Sequence, residues 1–222
     1  MTDNPSNFPN PADSDKQGLL AIGGDLSPER LLAAYKQGIF PWYEAGYPIL
    51  WWSPDPRLIL KPQAFKLSRS LQRTLKEPYR FTIDTAFAEV ITACANVDGR
   101  IDQTWITKEM REAYIQLHHM GYAHSFEIWK DELLVGGLYG LSLGKAFFGE
   151  SMFHFERDAS KLAMYHLCQV LASWQFDFID CQLPTPHLQS LGAITIDRKT
   201  FLQLLQKTIE SPTRQGLWTN LS

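Results

Sequence analysis

The stretch from His124 to Phe153, HSFEIWKDELLVGGLYGLSLGKAFFGESMF, constrains the fold more than any other. Aromatic and aliphatic runs broken at Lys130-Asp131 and Leu143-Gly144 read as an antiparallel meander of strands. ASKLAMYHLCQVLASW follows as a long helix, with Asp158 as its N-cap and Met164, Leu167 and Leu171 along one face. FDFIDCQ, residues 176–182, then reads as another strand. Antiparallel strands, a helix and a further strand beside them bury their apolar faces together as a layered α+β domain. DTAFAEVITACAN and TKEMREAYIQLHHMG, ending at Gly121, read as helices; a turn over Pro184 to Ser190, a strand at AITID and a helix at KTFLQLLQKTIE complete the pattern.

FDFIDCQ carries two polar groups in an apolar run. Strand alternation would put Phe176, Phe178, Asp180 and Gln182 on one face and Asp177, Ile179 and Cys181 on the other. A carboxylate and a carboxamide buried among aromatics cost a few kcal/mol unless both find partners. Glu150, in KAFFGESMF, is a second carboxylate in an apolar strand, and a structural ion pair would be its ordinary role.

Ahead of this domain the chain differs in texture. Residues 1–17 are polar and proline-containing and read as irregular, with Phe8 and Pro9 able to pack on the body. Ser27 as N-cap, Pro28 at the first helical position, Glu29 in the first turn and Gly38 as a stop predict a helix over about 28–37. Trp42, Trp51 and Trp52 crowd this short region; large rings ordinarily build the core of a small lobe, but they also stack on nucleobases. In FKLSRSLQRTLKEPYR, Ser68 caps a helix with Arg69, Arg73 and Lys76 on one face and Leu67, Leu71 and Leu75 on another. Arg57, Lys61, Lys66 and Arg80 extend this into the strongest positive cluster of a chain whose net charge is −3, so any polyanion contact is local.

With 222 residues and 45% hydrophobic content, the chain suffices for one core domain plus a small lobe. Cys94, Cys168 and Cys181 form no C-x-x-C and suit reduced thiols. No segment reads as a signal peptide or membrane span, which predicts a cytoplasmic protein. His118 and His119 face different ways on their helix, and no histidine spacing suggests a metal site. Ser53, Ser151 and Ser160 lack a G-x-S-x-G elbow, and GGLYGLSLG is not a Walker loop.

Taken in order, GLLAIGGDLSPERLLAAYKQGIFPW, PILWWSPDPR, TWIT, GGLYG, FFGESMF, DASKLA and IDCQ followed by HLQSLGA resemble the leucyl/phenylalanyl-tRNA protein transferases of bacteria, from about Gly18 to Phe201. The resemblance implies a small N-terminal lobe (1–57) on an acetyltransferase-like GNAT domain (58–222) with a mixed, mostly antiparallel sheet flanked by helices. It implies transfer of Leu or Phe, and weakly Met, from aminoacyl-tRNA to the α-amine of proteins beginning with Arg or Lys, by a monomer needing no cofactor. Such transfer marks the acceptors for degradation by the N-end rule.

Residue by residue, it implies that Asp180 polarises the Gln182 amide, which helps draw a proton from the attacking amine, while Glu150 attracts the cationic acceptor. Leu138, Phe147, Met152, Met164, Leu167, Leu171 and Ile179 match the Leu/Phe pocket. Tyr35, Trp42, Trp105 and Tyr114 match aromatics flanking the terminal adenosine, and Arg69, Arg73 and Lys76 match part of a basic helix for the acceptor stem. Gln72 and Glu77 depart from a fully basic helix. Two rival classes fit parts of the pattern. A coenzyme A-dependent N-acyltransferase would need a glycine-rich pyrophosphate loop, of the form Q/R-x-x-G-x-G/A, after GESMF, where HFERDASK has none; a noncatalytic RNA-binding module would leave Asp180 and Gln182 unexplained.

Overall fold

The computed structural model describes residues 4–96 and 104–219. In chain order the elements are β1 (Leu19–Ile22), α1 (Pro28–Lys36), β2 (Phe40–Pro41), β3 (Leu50–Trp52), β4 (Arg57–Leu60), α2 (Arg69–Thr74), β5 (Arg80–Ile83), α3 (Phe87–Ala95), α4 (Lys108–His119), β6 (Ala123–Lys130), β7 (Leu133–Leu143), β8 (Ala146–His154), α5 (Ala159–Ser173), β9 (Phe178–Gln182), α6 (Pro186–Ser190), β10 (Ile194–Ile196) and α7 (Arg198–Thr208). Among the described residues no helix is long and apolar enough to cross a membrane.

A seven-stranded sheet runs in the order β10-β4-β9-β8-β7-β6-β5, and β1-β3-β2 form a separate three-stranded sheet. Every pairing in the large sheet is antiparallel except β8 with β9, whose strands are joined by the crossover helix α5. An antiparallel meander, a crossover helix and a parallel strand that diverges from its neighbour are the GNAT architecture expected above. The parallel ladder pairs Ala146, Phe147 and Phe148 with Phe178, Ile179 and Asp180 and goes no further. Beyond it the two strands part, so Glu150 and Gln182, each two residues past the last pair, stand on either side of the opening.

Two β-bulges sit at this divergence. Gly140 pairs with Gly149 and Tyr139 with Ser151, which leaves Glu150 as the extra residue of β8. Leu58 pairs with Gln182 and Ile59 with Asp180, which leaves Cys181 as the extra residue of β9. A bulge bends its strand and re-aims the side chain it carries. Gly140 is required there, since a Cβ would stand 2.1 Å from the Phe148 carbonyl oxygen and 2.6 Å from the Phe147 ring.

Helix starts follow the capping chemistry of the sequence. Ser27, Ser68, Thr107 and Asp197 accept the backbone N–H of Arg30, Leu71, Met110 and Thr200. Asp158 does not: it begins α5 in a left-handed conformation without a side-chain cap, and its carboxylate takes Lys161 Nζ at 2.7 Å instead. The first hairpin turn falls one residue later than expected, at Asp131 and Glu132, both with positive φ as a mirror-image turn demands. Pro184 to Ser190 contains the short helix α6, capped by Thr185, where a turn was expected. Phe176 and Asp177 precede β9 rather than belonging to it. The basic helix α2 has only six residues, so Lys76 lies beyond its end.

Residues 1–3 of the expected irregular start lie outside the described residues. Phe8 packs edge-on against Trp51 with ring centroids 4.9 Å apart, whereas Pro9 is exposed. One buried cluster runs from Leu31, Tyr35 and Trp51 through Ile59, Tyr139 and Phe178 to Phe201, so the front of the chain and the large sheet share a core.

Candidate active site

At the divergence of β8 and β9, Gln182 Nε2 donates to Glu150 Oε1 at 2.9 Å. Glu150 also accepts the hydroxyl of Tyr35, from α1, at 2.7 Å and that of Tyr114, from α4, at 3.1 Å. The two tyrosine hydroxyls touch each other as well. Burial pushes the Glu150 carboxyl up to about 7, against the lowering effect of its tyrosine donors and with a further rise from the charge of Asp180. The strand divergence thus holds a partly accessible carboxylate that can gain or lose a proton near neutrality.

Asp180 is placed differently from the expectation. It is fully buried, and its two oxygens take Arg57 Nε at 2.8 Å and Arg57 Nη2 at 2.7 Å. The Arg57 guanidinium is 1% exposed and lies between the rings of Phe40 (4.8 Å) and Phe201 (4.4 Å), so this arginine is no part of a surface patch. Asp180 Oδ1 also accepts the backbone N–H of Gln182 at 3.0 Å. The carboxylate therefore grips the Gln182 main chain and does not polarise its carboxamide, which is turned onto Glu150. The bulge at Cys181 and the positive φ of Gln182, 60°, break the alternation that would have set Asp180 and Gln182 on one face. Sequence reasoning missed Arg57 because an arginine next to proline in a basic stretch reads as solvated; only the tertiary pairing of β4 with β9 reveals it.

A cavity of about 370 Å³ opens beneath the pair, with a lining that includes Leu138, Met152, Met164, Leu167, Ile179, Glu150 and Gln182. Five of the seven expected pocket residues are thereby brought together. Phe147 and Leu171 are not among the lining. Both are fully buried in the core, Phe147 with its ring near Phe126 and Trp218 and Leu171 one turn further along α5 than Leu167. Tyr139, Cys181, Thr185, His187 and Leu188 complete much of the wall. They lay within the motifs GGLYG, IDCQ and HLQSLGA or beside them, but nothing in their spacing marked them. Burial pushes the Cys181 thiol well up, so it stays protonated and supplies no nucleophile.

A second cavity, of about 300 Å³, adjoins the first; it shares Glu150, Gln182, Cys181, Thr185 and Leu188 and adds Phe40, Trp42, Trp105 and Leu183. Trp42 and Trp105 therefore stand at the mouth. Tyr35 and Tyr114 do not: they are 1% and 0% exposed, and in this structure they hold Glu150 and present no ring to a ligand. Arg69, Arg73 and Lys76 are exposed, and among the described residues no ion pair engages them.

An acetyltransferase-like sheet, opened over a deep apolar pocket and a carboxylate titrating near neutrality, defines an acyl-group transferase by its architecture and site. The family model for leucyl/phenylalanyl-tRNA protein transferase matches residues 59–206, and that for the family's N-terminal domain matches residues 24–55. Leucyl/phenylalanyl-tRNA protein transferase of Legionella pneumophila (strain Corby) is 65% identical over 212 residues, covering 96% of each chain. That of Lawsonia intracellularis is 54% identical over 97% of this chain and 96% of its own. The chain belongs to the leucyl/phenylalanyl-tRNA protein transferase family. Likeness to solved structures is distant: a GCN5-related N-acetyltransferase from Kribbella flavida covers 75% of this chain and 60% of its own, at 9% identity and a TM-score of 0.40, and the fold assignment stands on the strand order.

Proposed function

We propose that the protein transfers leucine or phenylalanine, and weakly methionine, from aminoacyl-tRNA to the α-amine of proteins beginning with Arg or Lys. It does so in the cytoplasm, as a monomer, with residues 1–57 as a lobe on the catalytic domain 58–222. The observation that carries the reading is the apolar cavity ending at the Glu150–Gln182 hydrogen bond, supported by family membership. The amino-acid side chain fills the cavity and places the ester carbonyl at the strand divergence. The terminal adenosine lies at the mouth against Trp42 and Trp105.

The amine then attacks the carbonyl carbon, so a C–N bond forms and the ester C–O bond breaks. Its proton passes to Glu150, whose raised pKa matches the task, and returns to the departing ribose hydroxyl. Gln182 donates to Glu150 through its NH₂ and offers its carbonyl oxygen to the amine. Asp180 and Arg57 act through Gln182 and touch no reacting atom. An aminoacyl ester is already activated, so orientation and one proton transfer suffice. Ionised Glu150 also attracts a cationic acceptor.

The test is to incubate the purified protein with an Arg-initiated peptide and labelled Phe-, Leu-, Met- or Ile-tRNA. Phe and Leu should appear on the peptide N-terminus, Met more slowly, and Ile about 10- to 100-fold less, since one misplaced methyl in an apolar pocket is worth about 1–3 kcal/mol. Transfer from none of these would overturn the reading.

The exposed Arg69, Arg73 and Lys76 contact tRNA phosphates. Replacing all three with Ala should raise the KM for aminoacyl-tRNA and lower the slope of log KM against log salt by up to about 2–3, since each lost phosphate contact removes roughly 0.7–0.9. An unchanged salt slope would refute the assignment.

A further inference from the structure

On the far side of the mouth a third cavity, of about 360 Å³, is lined by Trp42, Tyr43, Glu44, Tyr47, Pro48, Leu50, Trp52 and Trp105. Five of these eight side chains are aromatic, and two of them stand open to solvent, Trp42 at 42% and Tyr47 at 67% exposed. Exposed rings of this size in one groove are unusual unless they meet a partner. The groove is also a built one. Trp52 Nε1 donates to the Trp42 carbonyl at 2.7 Å, and the two indoles lie 5.8 Å apart. Tyr43 is buried, with its hydroxyl against Thr107.

We infer that this groove binds the nucleotide immediately 5′ of the terminal adenosine, a cytidine in the CCA end of every tRNA. The inference rests on the proposed function and extends it by one nucleotide. Its basis is the order of the three cavities. The apolar pocket shares Glu150 and Gln182 with the mouth, and the mouth shares Trp42 and Trp105 with the groove. A ligand consisting of an aminoacyl group, a nucleoside and a preceding nucleotide has its parts in the same order. Aromatic faces suit an unpaired base, which stacks on them whatever its sequence. Among the described residues Glu44 is the one charged side chain lining the groove, and a carboxylate accepts the exocyclic amine of cytosine. Uracil presents an oxygen at that position and would be repelled. A cationic side chain of the acceptor protein is the competing occupant, but the acceptor's amine must arrive at Glu150, and the adenosine already lies between that point and the groove.

The experiment compares two small substrates, 3′-phenylalanyl-adenosine and the phenylalanyl ester of cytidylyl-adenosine, with an Arg-initiated peptide as acceptor. The dinucleotide should show a KM roughly 5- to 100-fold lower, the range that stacking one base provides. Tyr47→Ala should shrink that ratio, and Glu44→Gln should reduce the preference for cytidylyl- over uridylyl-adenosine, because an amide can offer either a donor or an acceptor. Transfer from the nucleoside ester with no advantage for the dinucleotide would overturn the groove assignment while leaving the proposed function standing. Transfer from neither, nor from Phe-tRNA assayed beside them, would overturn the proposed function itself. A rise in the KM of the Arg peptide in Tyr47→Ala or Glu44→Gln, with the dinucleotide advantage intact, would assign the groove to the acceptor and refute the inference.

Discussion

Glu150→Gln should lower kcat/KM for transfer by about 10²–10⁴-fold, the usual loss when a positioned proton acceptor is removed. The substitution keeps shape and volume, so aminoacyl-tRNA binding should be little changed, because the apolar side chains of the cavity and the aromatic rings of the mouth are untouched. The pH profile separates proton transfer from mere charge. Glu150 is pushed up to about 7, so it is protonated and inactive as a base below that pH and ionised above it. The acceptor's α-amine must also be neutral, and it loses its proton at about 7.7–8.0. The logarithm of kcat/KM should therefore rise with a slope near 2 below pH 7, near 1 between the two pKa values, and level above both. In Glu150→Gln the lower limb disappears and only the amine limb, of slope 1, remains. A variant that keeps the wild-type profile would remove Glu150 from the proton path.

The second large effect belongs to Arg57 and Asp180. Both are buried, and the pair is joined by two hydrogen bonds of 2.7 and 2.8 Å. Removing one partner strands the other charge in the core, which costs about 3–5 kcal/mol. For a chain of this size that is a Tm lower by roughly 10 °C in Asp180→Asn or Arg57→Leu, read by calorimetry. Transfer at saturating substrate should fall as well, since Gln182 loses the grip that holds its side chain on Glu150. Replacing both residues with Leu removes both buried charges and should recover most of the Tm, because a buried pair contributes little net stability over an apolar one. Activity should stay low, for no acceptor then remains for the Gln182 N–H. Recovery of full transfer in the double variant would reduce the pair to a structural ion pair, and failure to regain stability would refute the account of stranded charge.

Much of the architecture was legible in the sequence because it depends on local chemistry. Capping serines and threonines, glycine stops and the alternation of strand residues located most helices and the meander, since each acts within a few residues. The motifs around Glu150 and FDFIDCQ pointed to the right strands for the same reason, and family resemblance then supplied roles. Where local rules misled, they were overruled from a distance. Phe147 and Leu171 match pocket positions of the family, yet the packing of Trp218 and the depth of α5 put them behind the wall. Tyr35 and Tyr114 have rings fit for stacking, yet their helices deliver the hydroxyls to Glu150.

The sequence alone determined that Asp180, Gln182 and Glu150 are polar groups on apolar strands and therefore require partners. Which partners they take was decided by tertiary structure. A bulge in the β7–β8 hairpin, a bulge where β9 pairs with the sequence-distant β4, and one left-handed residue separated Asp180 from the Gln182 carboxamide and gave it to Arg57, 123 positions away. The physical reason is that strand periodicity holds only while the ladder is regular. Where β8 and β9 diverge, side-chain direction follows from cross-strand register and core packing, and no neighbouring residue encodes either.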